Sequence, residues 1–306
     1  MQVQLWRVSY KTLAANSDLC GNQTVTVVGA TFDRGESSTD GFTAVGVIGA
    51  QPVAGIRITS VANNSPLASA GMRTDDIITA VDETPIPEGK RGIATLSEVI
   101  SSKTGAPRRV FFWRTGTSSI ATVTPTQQCA YPVDLAVSDQ VNAYSDGNRI
   151  VVTTAMMDLV KSDDELAMIV GHELAHNTMG HLAKTGTNAA IGAATGVALG
   201  AVLAGFTGVN VMSPMAQAGE AAGRKVYSQA FEAEADYVGC YYAARGGFDV
   251  SNGATLWRRI AVKHPDGIHM GEDYPTTAHR FVAMEETAKE IALKRARGEQ
   301  IVPNPK

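Results

Sequence analysis

The chain has 306 residues, 44% of them hydrophobic and 18% charged, with a formal net charge of -4. This length suits about two domains, and the balance can bury sizeable cores, which excludes wholesale disorder. No concentrated basic face is available beyond a modestly basic tail around Lys294 to Arg297, so nucleic acid is excluded as a partner.

Residues 1–41 read as a lead-in, with a helical stretch near Val8 to Ala15, a strand near Thr24 to Val28 and a polar loop from Asp33 to Gly41. The N-terminus, Met1-Gln-Val-Gln-Leu-Trp-Arg7, has no basic region followed by a long apolar run. No signal peptide is visible, so the chain is either cytoplasmic or defined after a signal's removal.

From 42 to 125, short β-branched runs alternate with Gly, Pro and Asn: Val45 to Ile48, Gly55 to Val61, Asp76 to Val81, Arg109 to Trp113 and Ile120 to Val123. These are strand signals. Ser65-Pro66 offers an N-cap followed by proline at the first helical position, and Gly71 ends that short helix. A second helix fits Ile93 to Ser102. Two short helices among five or six strands predict a small, partly open barrel. The run from Gly55-Ile-Arg-Ile-Thr-Ser-Val61 through Ser65-Pro66 and Gly71 to Asp82 resembles part of a bacterial PDZ domain, and Val110-Phe-Phe-Trp-Arg114 is similar to its last strand. The resemblance implies that extended chains or C-termini bind by strand addition at a sheet edge. It makes Val45-Gly46-Val47 the candidate carboxylate-binding loop, although this segment departs from the usual pattern. A structural β domain that binds nothing is the alternative.

From about residue 130 the pattern becomes helical. Asn142 to Thr153 reads as a hairpin with Ser145-Asp-Gly-Asn148 at its tip. A helix starts at Ser162, with Glu165 completing a capping box, and carries Leu166, Ile169, Val170 and Leu174 at helical spacing. A second long helix covers about Met215 to Arg245 and stops at Gly246-Gly247; a third fits Thr276 to Arg297.

The first of these helices holds His172-Glu173-Leu174-Ala175-His176. Residues four apart lie about 40° from each other around a helix, one turn up, so both imidazoles face one point and can bind one Zn²⁺. Glu173 sits beside them, within reach of a metal-bound water whose pKa zinc lowers toward about 7. A catalytic tetrahedral site needs a third protein ligand. His181, five residues past His176, falls about 140° further round if the helix continues, pointing elsewhere and reading as a structural or supporting residue. The better candidate is Glu232 or Asp236 in Ser228-Gln-Ala-Phe-Glu-Ala-Glu-Ala-Asp236. The two share a helix face, so one can ligate while the other orients a ligating histidine. Glu234, about 200° from Glu232, should face away.

The two motifs together resemble the HtpX-like and BepA-like gluzincin metallopeptidases, the group that includes the CAAX prenyl proteases. The resemblance covers about residues 130–306, from Asp163-Asp-Glu-Leu166 to Tyr274-Pro-Thr-Thr-Ala-His-Arg280. It implies that His172, His176 and Glu232 ligate one zinc per chain, that Glu173 is the general base, and that Asp236 supports a ligand. Arg280 matches a family arginine near the site. The family's loop commonly begins His-Pro, whereas this chain has Tyr274-Pro275. Tyr274 either donates a hydrogen bond to an oxyanion or packs. His264 and His269 are weaker candidates.

Ala189 to Met212 is uncharged and rich in Gly and Ala, long enough for a membrane span. A single crossing would separate His176 from Glu232, and two need roughly 40 residues. A packed hairpin, a re-entrant dip or a lid is expected, with Gly192, Gly196 and Gly200 as a small-residue stripe. Of the three cysteines, Cys240 lies in an apolar helical stretch and reads as a buried thiol. Cys20 and Cys129 sit in polar surroundings and can pair if the chain is exported.

The expectation is an α+β chain: a lead-in (1–41), a PDZ-like domain (42–125) and a mainly helical zincin domain (130–306) with a short hairpin edge. The resemblance implies an endopeptidase of the bacterial periplasm or cell envelope, acting on unfolded or misassembled polypeptides. Peripheral membrane contact is open, as is the oligomeric state. The alternative is a zinc-containing chaperone or peptide-binding protein with little proteolytic activity.

Overall fold

The computed structural model describes residues 1–33, 53–184, 230–263 and 277–304. The expected strand at 45–48, the segment 189–212, and Tyr274, His264 and His269 lie outside the described residues. The architecture is α+β and divides into two units, one of Met1–Leu19 with Tyr131–Lys306, the other of Cys20–Ala130. The lead-in is thus split at Leu19, and the β-rich unit is an insertion in sequence between a first helix and the helical region.

The β-rich unit contains β1 (Thr24–Val27), β2 (Ala30–Phe32), β3 (Ile56–Val61), α2 (Pro66–Ser69), β4 (Ile77–Val81), β5 (Thr84–Pro85), α3 (Gly89–Ser101), β6 (Arg108–Arg114), β7 (Thr117–Val123) and β8 (Thr126–Cys129). Its main sheet runs β2-β3-β4-β6-β7, antiparallel, with β5 beside β4. The alternation in β3 sends Ile56 and Ile58 into a core to which β4 adds Ile78 and Val81, on either side of a register shift; Leu67 of α2 and Leu96 and Ile100 of α3 close it. The Ser65 hydroxyl accepts from the Ala68 N–H at 3.2 Å, and Pro66 opens the helix, as its spacing predicts. Asp76, buried, receives two hydrogen bonds from Arg114, at 2.6 and 2.5 Å, which pins the end of β6.

β1 pairs with β8 apart from the main sheet, in a register that sets Thr24 opposite Cys129. Next to this ladder Cys20 and Cys129 form a disulfide, and Cys240 is a buried free thiol. Both bonded cysteines belong to the β-rich unit, so the bond closes that unit on itself where the chain enters and leaves it. In the chain-entropy model, closing a sequence separation of 109 residues contributes about 4–5 kcal/mol. Serine at both positions should lower the urea midpoint of the β-rich unit, and an unchanged midpoint would contradict this. Protein made in an oxidising compartment should show one free thiol on denaturing titration; three would contradict the pairing.

The other unit contains α1 (Gln2–Ala15), a 3₁₀ turn (Ser17–Leu19), β9 (Val133–Ala136), β10 (Ala143–Ser145), β11 (Ile150–Thr153), α4 (Thr154–Leu159) and α5 (Asp163–Thr178). It continues with α6, helical over 230–245 of the described residues, then α7 (Gly253–Lys263) and α8 (Thr277–Ala296). The predicted hairpin is present: β10 pairs antiparallel with β11, Ala143 opposite Val152. β9 adds parallel to the far side of β11, leaving β10 at the sheet edge.

α5 is buried on nearly every face, with Leu166, Ala167, Val170, Leu174 and Ala175 at full burial, so it is the central element of this unit. α1 covers one side of it, where Gln4 and Arg7 donate to Asp163 at 2.9 and 2.7 Å. The end of α1 is tied to α6: Asn16 donates to the Tyr242 carbonyl at 3.0 Å and Arg245 to the Ala15 carbonyl at 3.2 Å. α8 backs α6 through Tyr241, whose hydroxyl donates to Glu290 at 2.8 Å. No described helix is long and apolar enough to cross a membrane.

Candidate metal centre

The start of α5 follows from its sequence. The Ser162 hydroxyl accepts from the Glu165 N–H at 3.2 Å, and Asp163, Asp164 and Glu165 complement the positive end of the helix dipole. Glu165 does not return to Ser162. Its carboxylate accepts from the Lys161 N–H at 2.7 Å and takes a two-point contact from Arg259 at 2.8 and 2.7 Å, which anchors α7 to the head of α5.

Two turns on, His172 and His176 project from one face, their Nε2 atoms 3.1 Å apart. α6 crosses here at very short range. A Cβ on Gly171 would lie 2.5 Å from the Gly239 carbonyl oxygen, and one on Gly239 would lie 2.6 Å from the His172 nitrogen. No larger residue fits either position without moving a backbone. The glycine pair brings the Glu232 and Asp236 face of α6 onto the histidines. Glu232 lies 3.4 Å from His172 Nε2 through Oε2 and 3.4 Å from His176 Nε2 through Oε1. One donor atom from each of these three residues falls within 4.8 Å of the others, a set able to hold a metal ion.

The far side of His172 faces Asp236, with Nδ1 3.0 Å from Oδ1. Arg280 donates from Nε and Nη2 to both Asp236 oxygens at 2.7 Å each, and lies 3.6 Å from Glu232. Its guanidinium sits over the Trp257 ring at 4.3 Å, and that ring meets the His172 ring edge-on at 5.3 Å.

Burial alone would push the Asp236 carboxyl up, but Arg280 and His172 together outweigh burial and hold it below the usual carboxylate range. Glu232 is lowered too: burial opposes its charge, and His172 and His176 more than compensate. Burial disfavours a proton on His172, yet Asp236 and Glu232 push its pKa up to about 10. The carboxylates therefore favour positive charge at this point, a proton's or a metal's. Burial raises Glu173, partly offset by the two histidines and by a hydrogen bond with Ser145 on β10.

The structure brings together six of the seven residues that the sequence marks: His172, Glu173, His176, Glu232, Asp236 and Arg280. Tyr274 lies outside the described residues. Three more residues, Asn177, His181 and Glu234, take part around the site. Asn177 accepts from the Gly147 N–H at 2.9 Å and donates to the Arg149 carbonyl at 3.2 Å, fixing the hairpin tip to α5. His181 does not continue the helix. α5 ends at Thr178, Gly180 adopts φ +66°, and the reversed chain returns His181 Nδ1 to 3.0 Å from His176 Nδ1. Glu234 faces away from the donor set, as its angle predicts, but meets His181 Nε2 at 2.9 Å. Ser145, His176, Asn177, His181, Leu182, Phe231 and Glu232 line a cleft.

The model of the family described as "Peptidase family M48" matches residues 118–287, and that of the PDZ domain matches residues 57–114. Metalloprotease LoiP of Escherichia coli strain K12 is 30% identical over 154 residues, covering 49% of this chain and 60% of the relative. A putative beta-barrel assembly-enhancing protease of Vibrio cholerae is 29% identical over 131 residues, covering 40% of this chain and 26% of the relative. Among solved structures, a peptide-bound HtrA3 PDZ domain is 20% identical with TM-score 0.27, covering 34% of this chain and 88% of that one. The chain spans about 60% of the first relative and about a quarter of the second. With a family match over more than half of its length, the chain belongs to peptidase family M48 and carries a PDZ domain in its N-terminal half.

Proposed function

We propose that the protein is a zinc-dependent endopeptidase that cleaves unfolded or misassembled polypeptides in the bacterial periplasm or cell envelope. The observation that carries this reading is the donor set: the two imidazole Nε2 atoms lie 3.1 Å apart, and each lies 3.4 Å from one of the two Glu232 oxygens. Zinc bonds of about 2.0–2.1 Å span tetrahedron edges of about 3.3–3.4 Å, and two imidazoles with one carboxylate are a common catalytic donor set. His172, His176 and Glu232 would hold one zinc per chain.

A zinc ion there supplies a polarised carbonyl and a water acidified toward neutrality. The remaining work falls to the chain. Glu173, buried and raised in pKa, has the proton affinity to take a proton from the attacking water and return it to the leaving amine. Asp236, held ionised by Arg280, fixes the ring of His172. β10, at the sheet edge with Ser145 in the cleft, offers backbone groups to an extended chain laid beside it as a further strand. A disulfide in the PDZ-bearing unit fits an oxidising compartment, and the Vibrio cholerae relative is named for enhancing beta-barrel assembly. Incubation with unfolded casein tests the function. Cleavage should stop with chelator and return with zinc. Chelator-resistant cleavage, or none under any metal, would contradict it.

The PDZ domain is assigned to substrate delivery. Residues 42–125 contain no histidine, so they offer no ligand of the kind used by the metal site. A sheet edge can tether an extended chain and raise its effective concentration at the cleft. Replacing 21–129 with a short Gly/Ser linker should slow cleavage of long unfolded chains more than that of short peptides. Equal slowing on both, in a variant that passes a folding check, would remove the delivery role.

A further inference from the structure

We propose that His181 and Glu234 form a one-way hydrogen-bonded chain behind His176 that holds this residue in its metal-ligating tautomer. The proposal rests on the reading of His172, His176 and Glu232 as the ligands of one zinc. His176 points Nε2 at the other two donors and Nδ1 at His181 Nδ1, 3.0 Å away. His181 in turn points Nε2 at Glu234 Oε2, 2.9 Å away.

A neutral imidazole has one N–H and one lone pair. To ligate through Nε2, His176 must keep its proton on Nδ1 and donate it to His181 Nδ1. That nitrogen must then be the acceptor, so the proton of His181 sits on Nε2. There it faces Glu234, and an ionised carboxylate only accepts. The reverse assignment fails at both ends: it leaves His176 Nε2 without a lone pair and sets a lone pair of His181 against the carboxylate. Glu234 thus selects the tautomer of His181, which selects that of His176.

The ring is built to do this. His181 is 3% exposed and stacks on Phe231 with centroids 4.4 Å apart and planes 10° apart. Gly180, at φ +66°, makes the turn that returns it to the site. The two zinc-ligand histidines are therefore backed differently, His172 by Asp236 directly and His176 by Glu234 through a second imidazole. His181 and Glu234 act as positioning residues.

The test is the zinc affinity of metal-stripped protein, measured by competition with a chromogenic chelator. H181F keeps a ring stacked on Phe231 but offers no nitrogen, and should bind zinc roughly 10–100-fold more weakly. H181N should recover most of that loss, because its amide oxygen can accept from His176 Nδ1. E234A should weaken binding in the same direction, and E234Q should stay near the parent, since its amide oxygen still accepts. Long-range ¹H–¹⁵N spectra of the zinc-loaded protein should show His176 protonated on Nδ1 and His181 on Nε2. Parent-like zinc affinity in H181F would overturn the proposal and leave His181 as packing. If H181F does not fold, parent-like affinity in E234A, whose carboxylate is partly exposed, would overturn it equally. A parent protein that binds no zinc would overturn the ligand reading as well.

Discussion

Glutamine at position 173 should leave zinc content and fold unchanged and slow peptide cleavage by roughly 10²–10⁴-fold, the usual contribution of a positioned general base. Glu173 is not one of the three donors that converge, so its loss removes no metal bond. It is buried, its pKa is raised by that burial, and it feels the charges of His172, His176 and Glu232. An amide of the same shape keeps the packing and the hydrogen bond to Ser145 but has no basic oxygen. The measurement pairs initial rates on a fluorogenic peptide with zinc by elemental analysis. An E173Q rate within a few-fold of the parent would remove Glu173 as the base. A variant that also loses zinc would recast it as part of the metal's support.

The second large effect is expected at Asp236, and it should appear in stability as well as in metal binding. Asp236 is 4% exposed and takes both near hydrogen bonds of Arg280. Alanine there leaves a largely buried guanidinium with Glu232 at 3.6 Å as its nearest remaining carboxylate among the described residues. Breaking a buried pair from one side costs about 3–5 kcal/mol, so the urea midpoint of the helical unit should fall. Zinc affinity should fall roughly 10–100-fold as His172 loses the charge that orients it. Glu232→Ala separates the two consequences, because it removes a donor but leaves the Asp236–Arg280 pair whole. Zinc binding should collapse with a much smaller change in midpoint. Equal midpoints for D236A and the parent would show that the pair contributes little to the fold.

What could be read from sequence follows the distance over which each constraint acts. The histidine pair, Glu173 and the Glu232/Asp236 pair obey helical spacing, a local rule, and the structure brings them to one point. Ser65-Pro66 and Ser162 are likewise local caps. The glycine contact between α5 and α6 is different. Gly171 and Gly239 lie 68 positions apart (239 − 171), and nothing near either one announces that two backbones meet there. α1 is a similar case: its docking on α5 and α6 depends on Asp163 and Tyr242, far along the chain. α7 and its Trp257 likewise gain their place from Glu165 and Arg280. The supporting place expected for His181 agrees with its contact to His176, but its direction does not, because the helix ends before it. The stop was present in Gly180, since glycine just beyond a helix readily takes the left-handed conformation, and that turn reverses the direction of the next side chain.

The most direct measurement is a zinc titration of metal-stripped protein, following casein cleavage. Activity should rise from near zero in proportion to added zinc and break at one equivalent per chain, while Glu232→Ala gives no break at that ratio. Full cleavage by the stripped protein, or a Glu232→Ala titration that matches the parent, would contradict a single zinc held by His172, His176 and Glu232.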